Sequence, residues 1–287
     1  MVVSFDAPSG AAEPLAHQLK SRFGSRGDDT LPSSIVAFAT HLHALVRDLR
    51  PSRDEWRGFL SLLKDIGDYS HDRRDEWMLV SDLLGVSALI EDINSCRPAG
   101  ATPNTPRGPF YRADTQLLPL GSDICLDGKG EPLQVSGRVV DLSGAPIAGA
   151  DVTTWQANGQ GFYENQQPDD QPEFNLRGRF LSDEAGRFHY RTVMPSGYPV
   201  PLDGPAGELL KRAGLPPRRP AHLQFQIAAV GFETITTHLF DADDPHLAAD
   251  PLFAVKPELV KPFRRDTGQC ALDCTFVMVR TPEEISR

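Results

Sequence analysis

Residues 133–140 have the sequence Leu133-Gln-Val-Ser-Gly-Arg-Val-Val140, in which apolar and polar side chains alternate before a turn-forming stretch at 141–144. Successive side chains of a β-strand point to opposite faces of the sheet, so this alternation predicts a strand with one buried face. Short stretches of similar character lie at 150–155, 186–193, 221–230, 232–240 and 274–280. Short strands separated by turn residues are typical of an antiparallel β-sandwich or barrel.

The residues before about position 100 have a different period. Apolar side chains recur at three- and four-residue steps in residues 35–49, and helical patterns follow at 52–67, 75–84 and 87–93. These patterns predict helices, the second of them with Ser52 as its N-cap. A stretch rich in Pro, Gly and Thr at 98–109 predicts a linker. We therefore expect an α+β fold, with a helical N-terminal domain and linker over 1–105 and an antiparallel β-sandwich domain over 106–287.

Composition limits the classes of partner. The chain has 287 residues and a net charge of −10, and an acidic chain without a basic stripe is a poor candidate for binding nucleic acid or a membrane surface. No apolar run approaches the roughly 20 residues that cross a bilayer. The N-terminus lacks the pattern of a signal peptide, and the four cysteines form no CxxC pair. We expect a cytoplasmic protein with buried, unpaired cysteines and a small-molecule partner.

Four side chains are candidates for metal chemistry. In Arg219-Pro-Ala-His-Leu-Gln224, a strand would point His222 and Gln224 to the same side, and imidazole is a common metal ligand. Tyr163 and Tyr198 lie in loops at or beyond strand ends. Because a free phenol has a pKa of about 10, a tyrosinate at neutral pH requires a strong local cation, which ferric iron supplies. Taken singly, each residue also fits a structural role, as a hydrogen-bonding strand histidine or a loop tyrosine with a solvated hydroxyl.

Five longer motifs follow one another along the chain. They are Arg74-Asp-Glu-Trp-Met-Leu-Val-Ser-Asp-Leu-Leu-Gly-Val-Ser87, Ala101-Thr-Pro-Asn-Thr-Pro-Arg-Gly-Pro-Phe-Tyr111, Trp155-Gln-Ala-Asn-Gly-Gln-Gly-Phe-Tyr163, Tyr198-Pro-Val-Pro-Leu-Asp-Gly-Pro205 and Arg219-Pro-Ala-His222. Together they resemble the intradiol ring-cleavage dioxygenases, the family of catechol and hydroxyquinol 1,2-dioxygenases, over nearly the whole chain. The resemblance implies an Fe(III) enzyme that uses O2 to open a catechol-type ring to a diacid.

The resemblance also implies a ligand set for the iron. Tyr163, Tyr198, His222 and Gln224 occupy the ligand positions, and Arg219 and Tyr198 are the expected catalytic residues. Gln224 departs from the family, which has a second histidine there, and an amide oxygen is a weaker donor than imidazole. Gln224 could coordinate the metal, leave an open position or hold a water. His238 is a possible auxiliary ligand, and the alternative is that it only makes a local hydrogen bond.

The substrate and assembly follow from the same resemblance. The expected substrate-binding residues are Leu79, Asp82, Arg107, Gly108, Pro109, Phe110, Val200, Pro201, Arg219 and Leu252. Asp82 resembles a residue of the hydroxyquinol-like branch that meets an extra ring hydroxyl, and Arg107, unusual in the family, could admit an anionic substituent. A surface carboxylate and a solvent-facing arginine are the alternatives. The resemblance further implies a homodimer formed through the helical domain, with a lipid bound there. Two other readings stay open: a divergent enzyme with an altered metal site, and a non-catalytic binding protein.

Overall fold

Helices occupy the N-terminal part of the chain. The computed structural model describes Leu15, Gln18, Ser21 and residues 31–71, 74–266 and 269–281. The helices are α1 (Leu31–Leu49), α2 (Arg53–Tyr69), α3 (Glu76–Leu83) and α4 (Val86–Asn94). These bounds confirm the helices that the period predicts. Within the described ranges, no helix is both long enough and apolar enough to cross a membrane.

The start of α2 is fixed by a reciprocal pair of hydrogen bonds. The Glu55 backbone N–H donates to Ser52 Oγ at 3.2 Å, and the Ser52 N–H donates to Glu55 Oε2 at 2.7 Å. This capping box satisfies two backbone donors that a helix N-terminus otherwise leaves open. The prediction that Ser52 is the N-cap is therefore confirmed.

The remainder of the described chain is mainly β-structure. Its strands are β1 (Pro132–Asp141), β2 (Asp151–Trp155), β3 (Arg177–Leu181), β4 (Arg187–Val193), β5 (Tyr198–Pro199), β6 (Arg218–Arg219), β7 (His222–Ala228), β8 (Ile235–Asp241), β9 (Val260–Lys261), β10 (Arg264–Asp266) and β11 (Gln269–Met278). One sheet has the order β10-β11-β1-β4, a second has the order β3-β2-β7-β8-β9, and β5 pairs with β6.

The core lies between the two larger sheets. Phe188 of β4 and Phe276 of β11 pack on Phe225 of β7, with the Phe225 and Phe276 ring centres 4.9 Å apart. All three side chains are fully buried. Apolar side chains from both inner faces therefore form one core, and the predicted α+β class with a helical N-terminal part and a β-sandwich is confirmed.

Several details differ from the sequence-based expectation. The sheets are mixed, because β1 pairs with β11 and β8 pairs with β9 in parallel. A further helix, α5 (Pro205–Ala213), was not predicted, although it has boundary residues typical of helices, Pro205 in its first turn and Gly214 at its C-terminal end. The prediction that all four cysteines are buried is wrong, since Cys96 is exposed and Cys125 is partly exposed. Neither belongs to the hydrophobic core between the sheets.

Contact density divides the chain into two units, Met1–Asp65 and Ile66–Arg287. The first contains α1 and most of α2, where the Trp56 and Phe59 rings stack with centres 5.5 Å apart. The second contains the end of α2, the remaining helices and the sandwich. All the candidate site residues belong to the second unit. The predicted domain division after residue 105 stays a prediction.

Candidate metal centre

Two neighbouring strands present the polar side chains of the centre on one face of the five-stranded sheet. On β7, His222 and Gln224 are two residues apart and therefore point to the same side. On β8, His238 is the register partner of Gln224, and Phe240 is the partner of His222. All four side chains are at least 98% buried. The side chains of His222 and Gln224 thus point to the same side of the sheet, as the sequence predicts.

The two tyrosines come from loops that a glycine allows to approach each other. Tyr163 precedes a 3-10 turn, and its backbone N–H donates to Gln166 Oε1 at 2.9 Å. Tyr198 begins β5, which pairs with β6 at Arg219. Gly161 has a φ of +88°, and a Cβ atom there would lie 2.9 Å from the Cβ of Tyr198. Any larger residue at position 161 would therefore push the two loops apart.

The polar atoms of these residues converge on one point. The Tyr163 and Tyr198 hydroxyl oxygens are 3.5 Å apart, and the Tyr198 oxygen is 3.5 Å from His222 Nε2. Gln224 Nε2 lies 3.0 Å from the Tyr163 oxygen and 3.4 Å from His222 Nε2. Metal–nitrogen and metal–oxygen bonds of about 2 Å place neighbouring ligand atoms at such separations. The residues present therefore fit a metal ion bound by two phenol oxygens and an imidazole.

The protonation of His222 suits a metal ligand. Its Nδ1 lies 2.7 Å from the carbonyl oxygen of Pro220, which can only accept a hydrogen bond. The ring proton therefore resides on Nδ1, and Nε2 keeps its lone pair toward the centre. Burial, assisted by the charge of Arg219, lowers the pKa of His222 well below its usual value, so the ring is neutral. A neutral imidazole with a hydrogen-bonded second nitrogen is the form that binds metals.

The phenol of Tyr163 needs a cation to ionise. Burial raises its pKa well above 10, and the neighbouring Tyr198 raises it further, while the charges of Arg219 and Arg177 oppose this. The side chain is 1% exposed, so water cannot solvate a phenolate there. A metal ion at the point where the oxygens converge would supply the missing charge. Within the described residues, no group of three or more His, Cys, Asp or Glu side chains is arranged to hold a metal elsewhere.

A buried arginine faces the same point. Arg219 is 3% exposed, its Nε lies 3.2 Å from Asp250 Oδ1, and its Nη1 donates to the Tyr198 oxygen at 3.4 Å. Burial alone would lower the pKa of this guanidinium, but the oxygens of Tyr198 and Asp250 raise it overall. Arg219 is therefore a fixed cation beside Tyr198, not a surface residue. Asp250 was not predicted from the sequence, because it lies 31 residues away from Arg219 and belongs to no local pattern.

The linker forms a wall of the centre. The Phe110 ring stacks on the Tyr163 ring with centres 3.9 Å apart and an interplanar angle of 14°. Gly108 has a φ of +70°, and a Cβ atom there would lie 3.9 Å from Gln224 Oε1. Pro109 and Arg107 are exposed, and the Arg107 guanidinium lies over the Tyr111 ring, 4.8 Å from its centre. The structure thus brings residues 108 and 110 against the predicted ligands and leaves Arg107 on an aromatic ring at the surface.

A buried ion pair that no local sequence pattern indicates anchors this wall. Arg177 Nε lies 2.7 Å from Glu164 Oε1, and both side chains are at most 3% exposed. Arg177 also donates from Nη1 to the carbonyl oxygen of Phe110. Glu164 follows Tyr163 directly in the chain. The pair therefore links the Phe110 segment to the loop that carries Tyr163.

The other predicted substrate-binding residues differ in exposure. Asp82 on α3 is 8% exposed. Burial raises the pKa of its carboxyl overall, although a hydrogen bond with Ser87 and the charge of Arg219 oppose the rise. It is therefore not a solvated surface carboxylate. Val200 is buried, Leu79 and Leu252 are partly buried, and Pro201 is exposed.

Comparison with known sequences places this fold among dioxygenases. The family model described as "Dioxygenase" matches residues 108–282, and the one described as "Catechol dioxygenase N terminus" matches residues 33–102. A hydroxyquinol 1,2-dioxygenase of Rhizobium sp. (strain MTP-10005) is 46% identical over 83% of this chain and 81% of its own length. A 6-chlorohydroxyquinol 1,2-dioxygenase of Cupriavidus pinatubonensis is 40% identical over 85% of this chain and 88% of its own.

Solved structures give the same result. A hydroxyquinol 1,2-dioxygenase from Pseudomonas putida DLL-E4 has a TM-score of 0.89 and 34% identity, covering 94% of this chain and 98% of its own. A catechol 1,2-dioxygenase from Acinetobacter sp. ADP1 has a TM-score of 0.79 and 25% identity, covering 94% and 93%. The fold and the matches define a ring-cleaving dioxygenase. The chain belongs to the intradiol dioxygenase family, that of the catechol and hydroxyquinol 1,2-dioxygenases.

Proposed function

We propose that this enzyme uses O2 to cleave a catechol-type ring between its two hydroxyl-bearing carbons and that hydroxyquinol is its preferred substrate. One carbon–carbon bond breaks, both oxygen atoms of O2 enter the product, and the product is a ring-opened diacid. The observation that carries the proposal is the convergence of the Tyr163, Tyr198 and His222 donor atoms within 3.5 Å of their neighbours, beside the buried Arg219. Family membership supports the reaction, and two relatives named for hydroxyquinol substrates support the preference.

Ferric iron is the proposed metal. Tyr163, Tyr198 and His222 would hold it, and the family resemblance predicts Gln224 as a fourth ligand. When bound, the ion supplies the positive charge that keeps the phenols ionised and draws electron density from an attached diol. As it stands, Gln224 turns its amide N–H toward Tyr163, so its role as a ligand stays a prediction.

Tyr198 and Arg219 are the proposed catalytic residues. The Tyr198 side chain is only partly buried, whereas Tyr163 is 1% exposed, so Tyr198 is the tyrosine that an arriving diol can reach. Its oxygen accepts a proton from one diol hydroxyl. The Arg219 guanidinium, held by Asp250, then stabilises negative charge on the activated ring. In this scheme His222 on β7 and Tyr163 in its loop keep their positions while Tyr198 and Arg219 act on the substrate.

Asp82 is the proposed selector for a third ring hydroxyl. Its carboxyl is buried near the positive charge of Arg219 and can accept a hydrogen bond from the substrate. Phe110, Gly108 and the partly buried Leu79 would form apolar walls, with Val200, Pro201, Leu252, Pro109 and Arg107 around them. The homodimer with a lipid at its helical interface and the cytoplasmic location also stay predictions.

The test combines metal analysis with isotope labelling. Purified protein is reconstituted with ferric iron, its visible spectrum is recorded with and without hydroxyquinol, and the product formed under 18O2 is identified by mass spectrometry. The expected result is a coloured iron protein and an intradiol diacid that carries both labelled atoms. Iron binding and colour without this product would favour a divergent enzyme, and a colourless protein that takes up no iron would favour a binding protein.

A further inference from the structure

One buried histidine beside the centre has an unused nitrogen. His238 is 2% exposed, and its Nδ1 lies 2.6 Å from the hydroxyl of Thr105, which is 1% exposed. Its Nε2 has no hydrogen-bond partner among the residues that the structure describes. An unpaired polar atom in a dry interior costs free energy, so such an atom commonly has a partner outside the chain. His238 is therefore arranged to bind something through Nε2.

The amide of its register partner is turned the wrong way to bind a cation. Gln224 Nε2 donates to the Tyr163 oxygen at 3.0 Å, and Gln224 Oε1 has no partner among the described residues. A phenolate oxygen can only accept hydrogen bonds, so an ionised Tyr163 selects this orientation of the amide. The NH2 nitrogen of a neutral amide is a poor metal ligand, because its lone pair is delocalised into the carbonyl group. Gln224 thus serves the Tyr163 oxygen and leaves one donor position of the centre to another group.

The separation of the two imidazole rings is compatible with one shared ion. The ring centres of His222 and His238 are 4.9 Å apart, and the ring planes are inclined by 67°. Two imidazoles that bind one ion through Nε2 at about 2.1 Å, roughly at right angles, have ring centres about 5 Å apart. In both rings the second nitrogen is held by a neighbour, the Pro220 carbonyl for His222 and the Thr105 hydroxyl for His238. Such support of the second nitrogen is typical of metal-bound histidines.

We propose that His238 Nε2 is the second imidazole ligand of the metal and that Gln224 is a positioning residue that donates its N–H to Tyr163. The imidazole comes from β8 instead of β7, and the two residues that exchange roles are paired across the sheet. In this arrangement the Thr105 hydroxyl would accept the Nδ1–H of His238, which leaves Nε2 unprotonated. This inference rests on the proposed function, since it concerns the same ferric site.

The test measures iron affinity by competition with a chelator, followed by visible absorbance. We expect His238→Gln to weaken iron binding at least tenfold, Gln224→His in the same chain to restore most of the loss, and Thr105→Val to weaken binding by about tenfold to a hundredfold. His189→Gln is the control, because His189 is an exposed histidine on β4. The unfolding midpoint of the metal-free variants, compared with that of the parent, separates loss of a ligand from loss of the fold.

Pulsed EPR of the ferric protein with 15N-labelled histidine gives a readout independent of activity. The expected spectrum contains coupling from both His222 and His238, and the His238→Gln variant loses one of the two couplings. If this variant holds iron as tightly as the parent and its EPR spectrum is unchanged, His238 is not a ligand and the inference is overturned. A parent protein that binds no ferric iron at all would instead overturn the proposed function.

Discussion

At the scale of single residues, the proposed metal site depends most on the hydroxyl of Tyr163. We expect Tyr163→Phe to remove most visible absorbance, most bound iron and most activity, because the variant loses an anionic oxygen from a dry site. The Phe110 ring would still stack on the remaining ring, so the fold should survive. Absorption spectra and iron content of the purified variant check this. Tyr111→Phe is the control, because Tyr111 packs on Trp155 instead of joining the donor atoms; an unchanged spectrum in folded, iron-loaded Tyr163→Phe would contradict the assignment.

We expect Asp82 to determine the preference for hydroxyquinol over catechol. Asp82→Ala should reduce kcat/KM for hydroxyquinol more than for catechol, because only hydroxyquinol offers a third hydroxyl. An unpaired buried polar group costs about 1–3 kcal/mol, which corresponds to roughly tenfold to a hundredfold in relative efficiency. Leu79→Ala, on the same helix but apolar, should reduce both efficiencies alike. Equal losses on the two substrates for Asp82→Ala would rule out a specific contact.

At the scale of elements, the Glu164–Arg177 pair holds the linker against the Tyr163 loop. We expect Glu164→Gln to destabilise the fold by about 3–5 kcal/mol, because it leaves the buried Arg177 charge without its counterion. Iron retention should fall as well, since Arg177 also anchors Phe110. Chemical denaturation and chelator challenge measure the two effects. Glu208→Gln breaks an exposed pair with Arg212 and should change neither; a similarly mild result for Glu164→Gln would show that the buried pair is dispensable.

The same elements show what the sequence can and cannot predict. A period of two places His222 and Gln224 on one face without knowledge of the fold, because direction along a strand is a local property. The partner of a strand is not local: β1 joins β11 in parallel across more than a hundred residues, so the purely antiparallel sheet was a reasonable but incorrect expectation. The partners of Arg219 and Glu164 were missed for a similar reason. The orientation of the Gln224 amide depends on Tyr163, which lies 61 residues away.

At the scale of the whole molecule, the proposed donors join parts of the chain that are distant in sequence. Tyr163, Tyr198, His222 and His238 all belong to the unit Ile66–Arg287. In the unfolded chain they separate, so the metal binds the native state far more tightly than the unfolded state. By linkage, such a ligand stabilises the fold by about 2.7 kcal/mol at a hundred times its Kd and by about 4.1 kcal/mol at a thousand times.

Removal of iron should therefore lower the unfolding temperature of this unit. Calorimetry of the iron-loaded protein, of the same sample after chelation and of the chelated sample after iron is restored measures the loss and its recovery. Tyr163→Phe should show the low unfolding temperature whether or not iron is present, because its site cannot retain the ion. Tyr111→Phe should respond to iron as the parent does, since its phenol lies outside the donor cluster. Equal unfolding temperatures for loaded and chelated parent protein would mean that the ion does not bind across these strands and loops, and the proposed centre would then have to be abandoned.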